Sequence, residues 1–349
     1  MDIRKQLRER FDRNDAAIHG GKGYSELTND NGELAWAEAY ILLAYMEMYR
    51  ATHDRHYLRK LVEHFDRVLA NRDDMRGVAD TYAGKPLAGW GATKYTKGKW
   101  HVWIVHTGMI TLAPAEFVRL VSRDRWLLAE FGAKAQQYRQ RVEECIRDAE
   151  PYWRDGPNAG EGYYYSPHLK DALPLNQQNI MGSVLIEMWR TTGDHRYRNK
   201  VERLARFFRN RLRTGDPRLY DWAYWYRLNG DGRGSEDISH ASLNVDFAAR
   251  CIAEGIVFNR RDGERFGNTW LLKVKRPDGT WAGEVGGDED GSEYMPGAGG
   301  MWLGLCRVLP RLQAQELYRD VRRAFADKVS LTAAEMVGVA RLLRYASLG

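Results

Sequence analysis

The sequence has little cysteine and no long apolar run. Its 349 residues include three cysteines, Cys145, Cys251 and Cys306, which lie far apart and lack the Cys/His spacing of a zinc site. We therefore expect buried free thiols rather than a disulfide framework, and no metal. No stretch approaches the roughly 18 consecutive apolar residues that a membrane helix requires, which predicts a soluble globular protein with no membrane partner.

Two further kinds of signal are missing. Residues 1–11 are charged nearly throughout and contain no apolar segment of a secretory signal. The expected location is the cytoplasm, or the periplasm or cell exterior if a signal has been removed. The chain also has no helix-turn-helix, RNP-like or zinc-finger pattern, so a nucleic-acid partner is not expected.

Tryptophan, tyrosine and basic residues are abundant. There are 12 Trp and 19 Tyr against 10 Phe, and 53 Lys and Arg against 47 Asp and Glu give a net charge of +6. Aromatic faces can stack on sugar rings, while Lys and Arg meet acidic groups. The composition therefore suits a polyanion or a sugar polymer, and an acidic polysaccharide or oligosaccharide is the expected partner. Charge alone does not separate it from nucleic acid, and a basic surface without any partner is the other alternative.

The sequence repeats with a period of about 70 residues. Residues 47–60 align with residues 187–200 and share Glu, Met, Arg, Thr, Asp, Tyr and Lys, and Asp124 lies midway between Asp54 and Asp194. Each unit predicts two helices, the first apolar on nearly every side and the second amphipathic. A repeat of this kind predicts stacked helical hairpins.

The helices predict a closed ring, an all-α (α/α)6-type toroid that forms a single domain over residues 1–349. Inner helices are predicted at 33–51, 102–121, 174–192, 237–256, 298–309 and 332–346. Outer helices are predicted at 55–71, 125–150, 196–213, 263–275 and 315–328, with helix 2–14 as the outer partner of the last inner helix. An open solenoid would expose its apolar end helices, because the sequence has no polar capping repeats.

One rim of the ring is predicted to carry function. Connections from outer to inner helices are long, at 73–100, 151–173, 214–236 and 276–297, and are rich in Trp and Tyr. Long loops without regular structure in a compact domain are usually functional. The aromatic residues predicted to bind substrate there are Trp100, Trp103, Trp225 and Tyr226.

Polar residues interrupt the apolar inner helices near their N-termini, which a closed ring brings to one mouth. They include Glu38, His101, His106, Asn176, Gln177, Gln178, Asn179, Glu236, Asp237 and His240. Helix capping is the alternative role for Ser235, Glu236 and Asp237. Capping also accounts for Asn176, and His240 can instead be a core histidine bonded to a carboxylate.

The order of three polar residues resembles a known family. Asn179 on one inner helix, His240 on a later one and Tyr294 downstream resemble the machinery of α/α-toroid polysaccharide lyases of the glucuronan and alginate type. The resemblance implies β-elimination on a uronic-acid polymer. Asn179 would bind the substrate carboxylate, His240 would remove the C5 proton or hold the base, and Tyr294 would act as base or as acid to O4.

The remaining site predictions concern substrate binding at the same mouth. His106, Glu236 and Asn176 are expected to contact substrate, and no cofactor is expected. For Tyr294 the alternative is packing against Met301 and Trp302.

Three other functions fit the same ring. An inverting glycoside hydrolase would take its acid and base from Glu38, Glu236, Asp237 and Glu293. A sugar epimerase would use histidines, with His101, His106 and His240 as candidates. The third is a glycan-binding ring without catalysis.

Overall fold

Apolar and amphipathic helices alternate along the chain, as the repeat predicts. The computed structural model describes residues 2–228, 230, 232–291 and 294–349. In chain order the helices are α1 Ile3–Ala17, α2 Ala39–Thr52, α3 His56–Ala70, the short α4 Asp73–Arg76, α5 Ile104–Val121, α6 Arg125–Ala149, α7 Leu175–Thr192, α8 His195–Arg209, α9 Ile238–Ala253, α10 Arg260–Thr269, α11 Met295–Trp302, α12 Arg311–Ala324 and α13 Ala333–Arg344. A π-helical turn, Leu34–Glu38, leads into α2, and a 3-10 turn, Leu303–Arg307, continues α11.

The inner helices close into a ring. α2, α5, α7, α9, α11 and α13 each pack against the next, and α13 packs back onto α2. Every inner helix has an outer partner, and α1 takes this place beside α13. The toroid prediction is confirmed, and the open solenoid is excluded by the contact of α13 with α2.

Burial explains why the inner helices are apolar on all sides. Among the described residues α5 alone is long and apolar enough to cross a membrane, although its sequence is not an uninterrupted apolar run. However, 89% of its 18 residues are buried inside the ring. This is the position of a core helix, covered by α7 on one side, α2 on the other and α6 outside.

The repeated Asp residues accept backbone N–H groups at the starts of the outer helices, and Asp124 and Asp194 are their N-caps. Asp54 Oδ1 accepts the His56 backbone N–H at 2.9 Å, and Asp124 Oδ1 accepts the N–H groups of Trp126 and Leu127 at 2.8 and 3.2 Å. Asp194 makes the same contact in the third copy of the repeat. The repeat therefore marks the turn between each inner helix and its outer partner.

We expect Asp124→Ala to lower the free energy of unfolding by about 0.5–2 kcal/mol, because two N–H groups of α6 lose their acceptor. Urea unfolding of both proteins measures the difference. Asp124→Asn is the matched control and should retain most of the stability, since an amide oxygen also caps. Equal stability of the alanine variant and the unaltered protein would contradict this role.

The long loops are more ordered than the sequence predicts. β1 Gly91–Ala92 pairs antiparallel with β2 His101–Val102, with Gly91 opposite Val102. β3 Trp153–Asp155, β4 Gly162–Ser166 and β5 Asp171–Ala172 form an antiparallel sheet in the order β3-β4-β5. The expectation of loops without regular structure is wrong in these two segments, because short hairpins satisfy their backbone groups.

The end of the ring opposite the long loops holds buried charges. Arg250 on α9, with 3% of its side chain exposed, lies 2.6, 2.9 and 2.6 Å from carboxylate oxygens of Asp246, Glu187 and Glu116. Arg341 on α13 reaches the same Asp246 at 3.0 Å. Burial alone would raise the pKa of Asp246, but the surrounding arginines hold it well below its usual value.

This network joins the inner helices to one another. Glu47 on α2 is paired with Arg341, and Arg50 on α2 lies 2.8 Å from Glu116 on α5. Arg307, just after α11, lies 2.9 Å from Asp246. Ion pairs therefore connect α2, α5, α7, α9 and α13 and the turn after α11.

Candidate active site

Side chains from four inner helices and two long loops meet at the N-terminal end of the ring. We define the mouth by Trp36, Tyr40, Tyr95, His106, Asn179, Tyr224, Glu236, Asp237 and His240. Around it, Trp36 and His106 rings lie 5.4 Å apart and His106 and Tyr95 rings 6.0 Å apart. Tyr224 lies against His240. The negative charge of Asp237 reaches Tyr40 on α2 and, with burial as the larger cause, raises the pKa of Tyr40 to about 12.

Asp237 both caps α9 and orients His240. Its Oδ1 accepts the backbone N–H groups of Ser239 and His240 at 3.1 and 3.0 Å, and its Oδ2 accepts the His240 Nδ1–H. Burial would raise the pKa of Asp237, but these hydrogen bonds and the nearby imidazole lower it. Neutral His240 therefore carries its proton on Nδ1 and presents Nε2 as an acceptor. With 43% of the side chain exposed, this nitrogen can meet a substrate.

A phenol lies beside this imidazole. The Tyr224 and His240 ring centroids are 4.9 Å apart, and the Gln177 Nε2–H donates to the Tyr224 hydroxyl at 3.2 Å. Burial and the nearby acidic groups raise the pKa of Tyr224 to about 12. The phenol thus keeps its proton at neutral pH and can donate it.

The predicted phenol, Tyr294, is at the start of the fifth inner helix. It precedes α11, and 66% of its surface is exposed. Its predicted catalytic role stays a prediction. Glu293, predicted as a hydrolase carboxylate, lies outside the described residues.

Asn179 belongs to a buried network with a carboxylic acid. Its Nδ2 donates to Asn244 Oδ1 at 2.7 Å, and Asn244 Nδ2 donates to Glu236 Oε2 at 2.6 Å. The Trp222 indole N–H donates to the same Glu236 oxygen. Burial raises the pKa of Glu236 well above its usual value, which favours the protonated form of this carboxyl group.

Two capping expectations are wrong. Glu236 does not cap α9, because its carboxyl group points into this network and Asp237 takes the capping position. Asn176 does not cap α7, because Pro174 occupies the N-cap and Asn176 already lies inside the helix. Burial leaves the Asn176 Oδ1 without a partner among the described residues.

His106 is a neutral hydrogen-bond donor at the mouth. Asn29 Nδ2 lies 3.0 and 3.3 Å from the carbonyl oxygens of Trp90 and Gly91, which fixes the orientation of the Asn29 amide group. The same nitrogen donates to His106 Nδ1 at 3.1 Å. Burial lowers the pKa of His106 to about 3. The imidazole is therefore neutral, with its hydrogen on Nε2, and that N–H is buried without a partner in the described chain.

Unsatisfied polar atoms concentrate at this end of the ring. Those without a hydrogen-bond partner among the described residues include Asp30 Oδ1, Trp36 Nε1, Trp103 Nε1, His106 Nε2, Asn176 Oδ1, Gln177 Oε1, Asn179 Oδ1 and Glu236 Oε1. Buried polar groups are normally paired, because an unpaired one costs about 1–3 kcal/mol. A polar ligand with several hydroxyl or carboxylate groups would pair them.

Three of the predicted aromatic residues hold loops through their polar atoms. The Trp100 indole donates to Asp73 at 2.7 Å, the Trp225 indole to the Ala172 carbonyl at 2.7 Å, and the Tyr226 hydroxyl to the Arg211 carbonyl at 2.8 Å. Their ring faces are partly exposed. Substrate binding by these faces stays a prediction.

Other candidates are also engaged within the protein. Glu38 is buried against His64 Nδ1 at 2.8 Å and holds the segment before α2, so it is not free to serve as a hydrolase carboxylate. His101 Nδ1 is bonded to Asp80 at 2.8 Å. In the described part of the chain, no group of three or more His, Cys, Asp or Glu side chains could hold a metal ion.

Comparison with known proteins adds structural neighbours only. No family model matches the chain, and no curated protein matches it. An α-1,6-mannanase from Salegentibacter sp. is 12% identical with a TM-score of 0.66, and 100% of each chain is covered. The likeness establishes the fold.

Two further neighbours are named for other glycan reactions. An unsaturated glucuronyl hydrolase from Bacillus sp. GL1 is 15% identical, with a TM-score of 0.60 over 97% of this chain and 94% of that one. A polysaccharide lyase is 12% identical, with a TM-score of 0.56 over 98% of both chains. The toroid is therefore shared by glycan hydrolases and a glycan lyase, and its chemistry must be argued from the mouth.

Proposed function

We propose that this protein is a carbohydrate-active enzyme that cleaves a uronic-acid-containing chain by β-elimination. The observation that carries the proposal is the open Nε2 of His240, set by Asp237 and lying beside the protonated phenol of Tyr224. A positioned base next to a positioned acid is what proton abstraction with departure of an alkoxide requires.

The reaction would proceed as follows. His240 Nε2 takes the C5 proton, the C5–H electron pair forms the C4=C5 double bond, and the C4–O4 bond breaks. Tyr224 gives its hydroxyl proton to O4, and proton transfer from imidazolium to phenolate restores both groups. Tyr224 thus takes the role that the resemblance gives to Tyr294.

Uncharged donors at the mouth support the same chemistry. Glu236, whose raised pKa favours the O–H form, and the unpaired N–H of His106 Nε2 would donate to the substrate carboxylate, on which charge accumulates as the C5 proton leaves. Asn179 acts on this set through Asn244, which fixes the orientation of Glu236. In this proposal Asn179 positions Glu236, whereas the family resemblance implies that Asn179 itself binds the substrate carboxylate.

A glycoside hydrolase is the second candidate, favoured by the adjacent carboxyl groups of Glu236 and Asp237. Burial raises the pKa of Glu236, whereas hydrogen bonds and the His240 imidazole lower that of Asp237. Two carboxyl groups with opposite protonation states are the requirement for acid and base in glycosidic hydrolysis. Against this, Asp237 is already occupied by His240 and the α9 backbone.

The deciding experiment uses alginate, glucuronan and α-1,6-mannan as substrates. We expect a uronate polymer to give new reducing ends together with the ultraviolet absorbance of an unsaturated product. Reducing ends without that absorbance would establish hydrolysis. If no polymer gives either signal, both proposals are overturned.

The Glu236→Gln variant separates the two mechanisms further. Under elimination the amide still donates and most activity remains, whereas loss of a general acid lowers the rate about 10²–10⁴-fold.

A further inference from the structure

An unpaired basic segment lies at the rim of the mouth. Lys94, Lys97 and Lys99 are exposed, and none lies within ion-pair distance of a carboxylate in the described residues. The other exposed lysines without an ion pair in the described residues, Lys85, Lys170 and Lys273, lie singly along the chain, whereas these three are grouped. Three unpaired positive charges within six residues favour an anionic ligand.

The segment is held in place rather than hanging free. β1 precedes it and β2 follows it. The Thr93 N–H donates to the Asp30 carbonyl at 3.0 Å, and the Thr96 hydroxyl bonds the carbonyl groups of Thr93 and Lys99. The lysines are therefore presented from a fixed turn, which limits the ordering that ligand binding would require.

Aromatic rings accompany these lysines. The Lys94 ammonium lies 5.6 Å from the Tyr95 ring centroid and that of Lys99 lies 5.8 Å from the Tyr82 ring. Tyr95, 46% exposed, has its ring 6.3 Å from that of Trp103, whose buried indole N–H has no partner among the described residues. An exposed ring beside an ammonium group provides a face for a sugar and a charge for its carboxylate.

The cleft behind Trp103 is too small for a sugar. It offers about 10 Å³ between Trp103, Tyr165 and Leu173, room for a single water molecule. The exposed Tyr95 ring is therefore the surface of this segment that is open to a sugar. Tyr95 also contacts His106, so this face continues directly into the mouth.

We infer that Lys94, Lys97 and Lys99, together with Tyr95, form a second binding position for an acidic sugar of the same chain. The inference rests on the proposed function. A uronate chain whose reacting unit lies at His240 extends along Tyr95, and a neighbouring carboxylate meets the lysines. These residues then determine the preference for acidic over neutral polymers.

Binding can be tested without turnover in the His240→Ala protein. Titration calorimetry with alginate and glucuronan oligosaccharides would compare it with the same protein carrying K94Q, K97Q and K99Q. We expect the lysine variant to bind about tenfold more weakly in 50 mM salt, with a smaller difference in 500 mM salt because the charges are screened. A control removes three charges from outer helices, with K5Q, R59Q and K134Q. That control should bind like its parent.

Each contrary outcome is distinct. Equal binding by the lysine variant, equal loss in the control, or no binding of any acidic oligosaccharide would overturn the inference. So would single-stranded DNA that competes as well as the oligosaccharide, because the lysines would then attract any polyanion. If lysine-dependent binding is found but no polymer is cleaved, the binding position stands and the proposed function falls.

Discussion

Replacement of His240 by alanine is expected to lower kcat by about 10²–10⁴-fold, the usual contribution of a general base. Asp237 binds the imidazole at Nδ1 and leaves Nε2 as the acceptor, whereas burial lowers the pKa of His106, the other imidazole of the mouth, to about 3 and makes it a poor base. The rate is measured as ultraviolet absorbance on the polymer that the unaltered enzyme cleaves. Far-ultraviolet circular dichroism and thermal unfolding should be unchanged, because His240 is half-exposed and its backbone N–H remains to bond Asp237.

Two tyrosines provide the matched comparison. Tyr224→Phe should lower kcat by about 10²-fold or more through loss of the acid, whereas Tyr294→Phe should leave the rate near that of the unaltered enzyme. If Tyr294→Phe lowers kcat and Tyr224→Phe does not, the catalytic phenol is Tyr294. Full activity of His240→Ala would remove His240 from the mechanism altogether.

Arg250→Met is expected to lower the free energy of unfolding by about 3–5 kcal/mol, because it leaves buried carboxylates without a cation. Arg250 contacts Glu116, Glu187 and Asp246, which belong to three inner helices. Methionine fills much of the same volume, so the loss reports on charge rather than on a cavity. Urea unfolding gives the free energy.

An exposed arginine serves as the control for this change. Arg59 is 60% exposed and paired with Glu130. We expect Arg59→Met to lower the free energy of unfolding by less than about 1 kcal/mol. Adding Glu116→Gln to Arg250→Met should destabilise less than the sum of the single changes, because contacting charges are coupled. A change of less than 1 kcal/mol for Arg250→Met would show that the network does not stabilise the ring.

The architecture is largely predictable from the sequence, because it depends on patterns that recur. Apolar periodicity gave each inner helix to within a few residues, and the spacing of Asp54, Asp124 and Asp194 marked the turns. The fifth inner helix is the exception: it begins at Met295 rather than 298 and turns into a 3-10 helix at Leu303. Glycines at 297, 299 and 300 weaken its helical pattern and hide its start.

The charge network could not be predicted in the same way. Glu47 and Glu187 are equivalent residues of the repeat, as are Arg50 and Arg190, and their recurrence was visible. Their partners on other helices depend on how the ring closes, so Arg250 and Arg341 gave no local signal. Glu187 and Glu47 pair with Arg250 and Arg341, and these contacts form only in the tertiary structure.

The mouth was predicted as a location but not as a set of contacts. His106, Asn179 and His240 interrupt apolar helices, and that signal is visible in one sequence. Tyr224 gave no such signal, since it is one of many aromatic residues in a loop, and only its packing on His240 singles it out. Asn29 precedes the first predicted inner helix and appeared to be an ordinary loop residue.

The pairing of α1 with α13 has a consequence for the order of folding. The Arg4 guanidinium donates to the Leu343 carbonyl, a contact between residues 339 positions apart. Bringing such distant segments together costs on the order of 5 kcal/mol of chain entropy. A growing chain makes α1 well before α13, so α1 cannot take its final place until α13 has been synthesised.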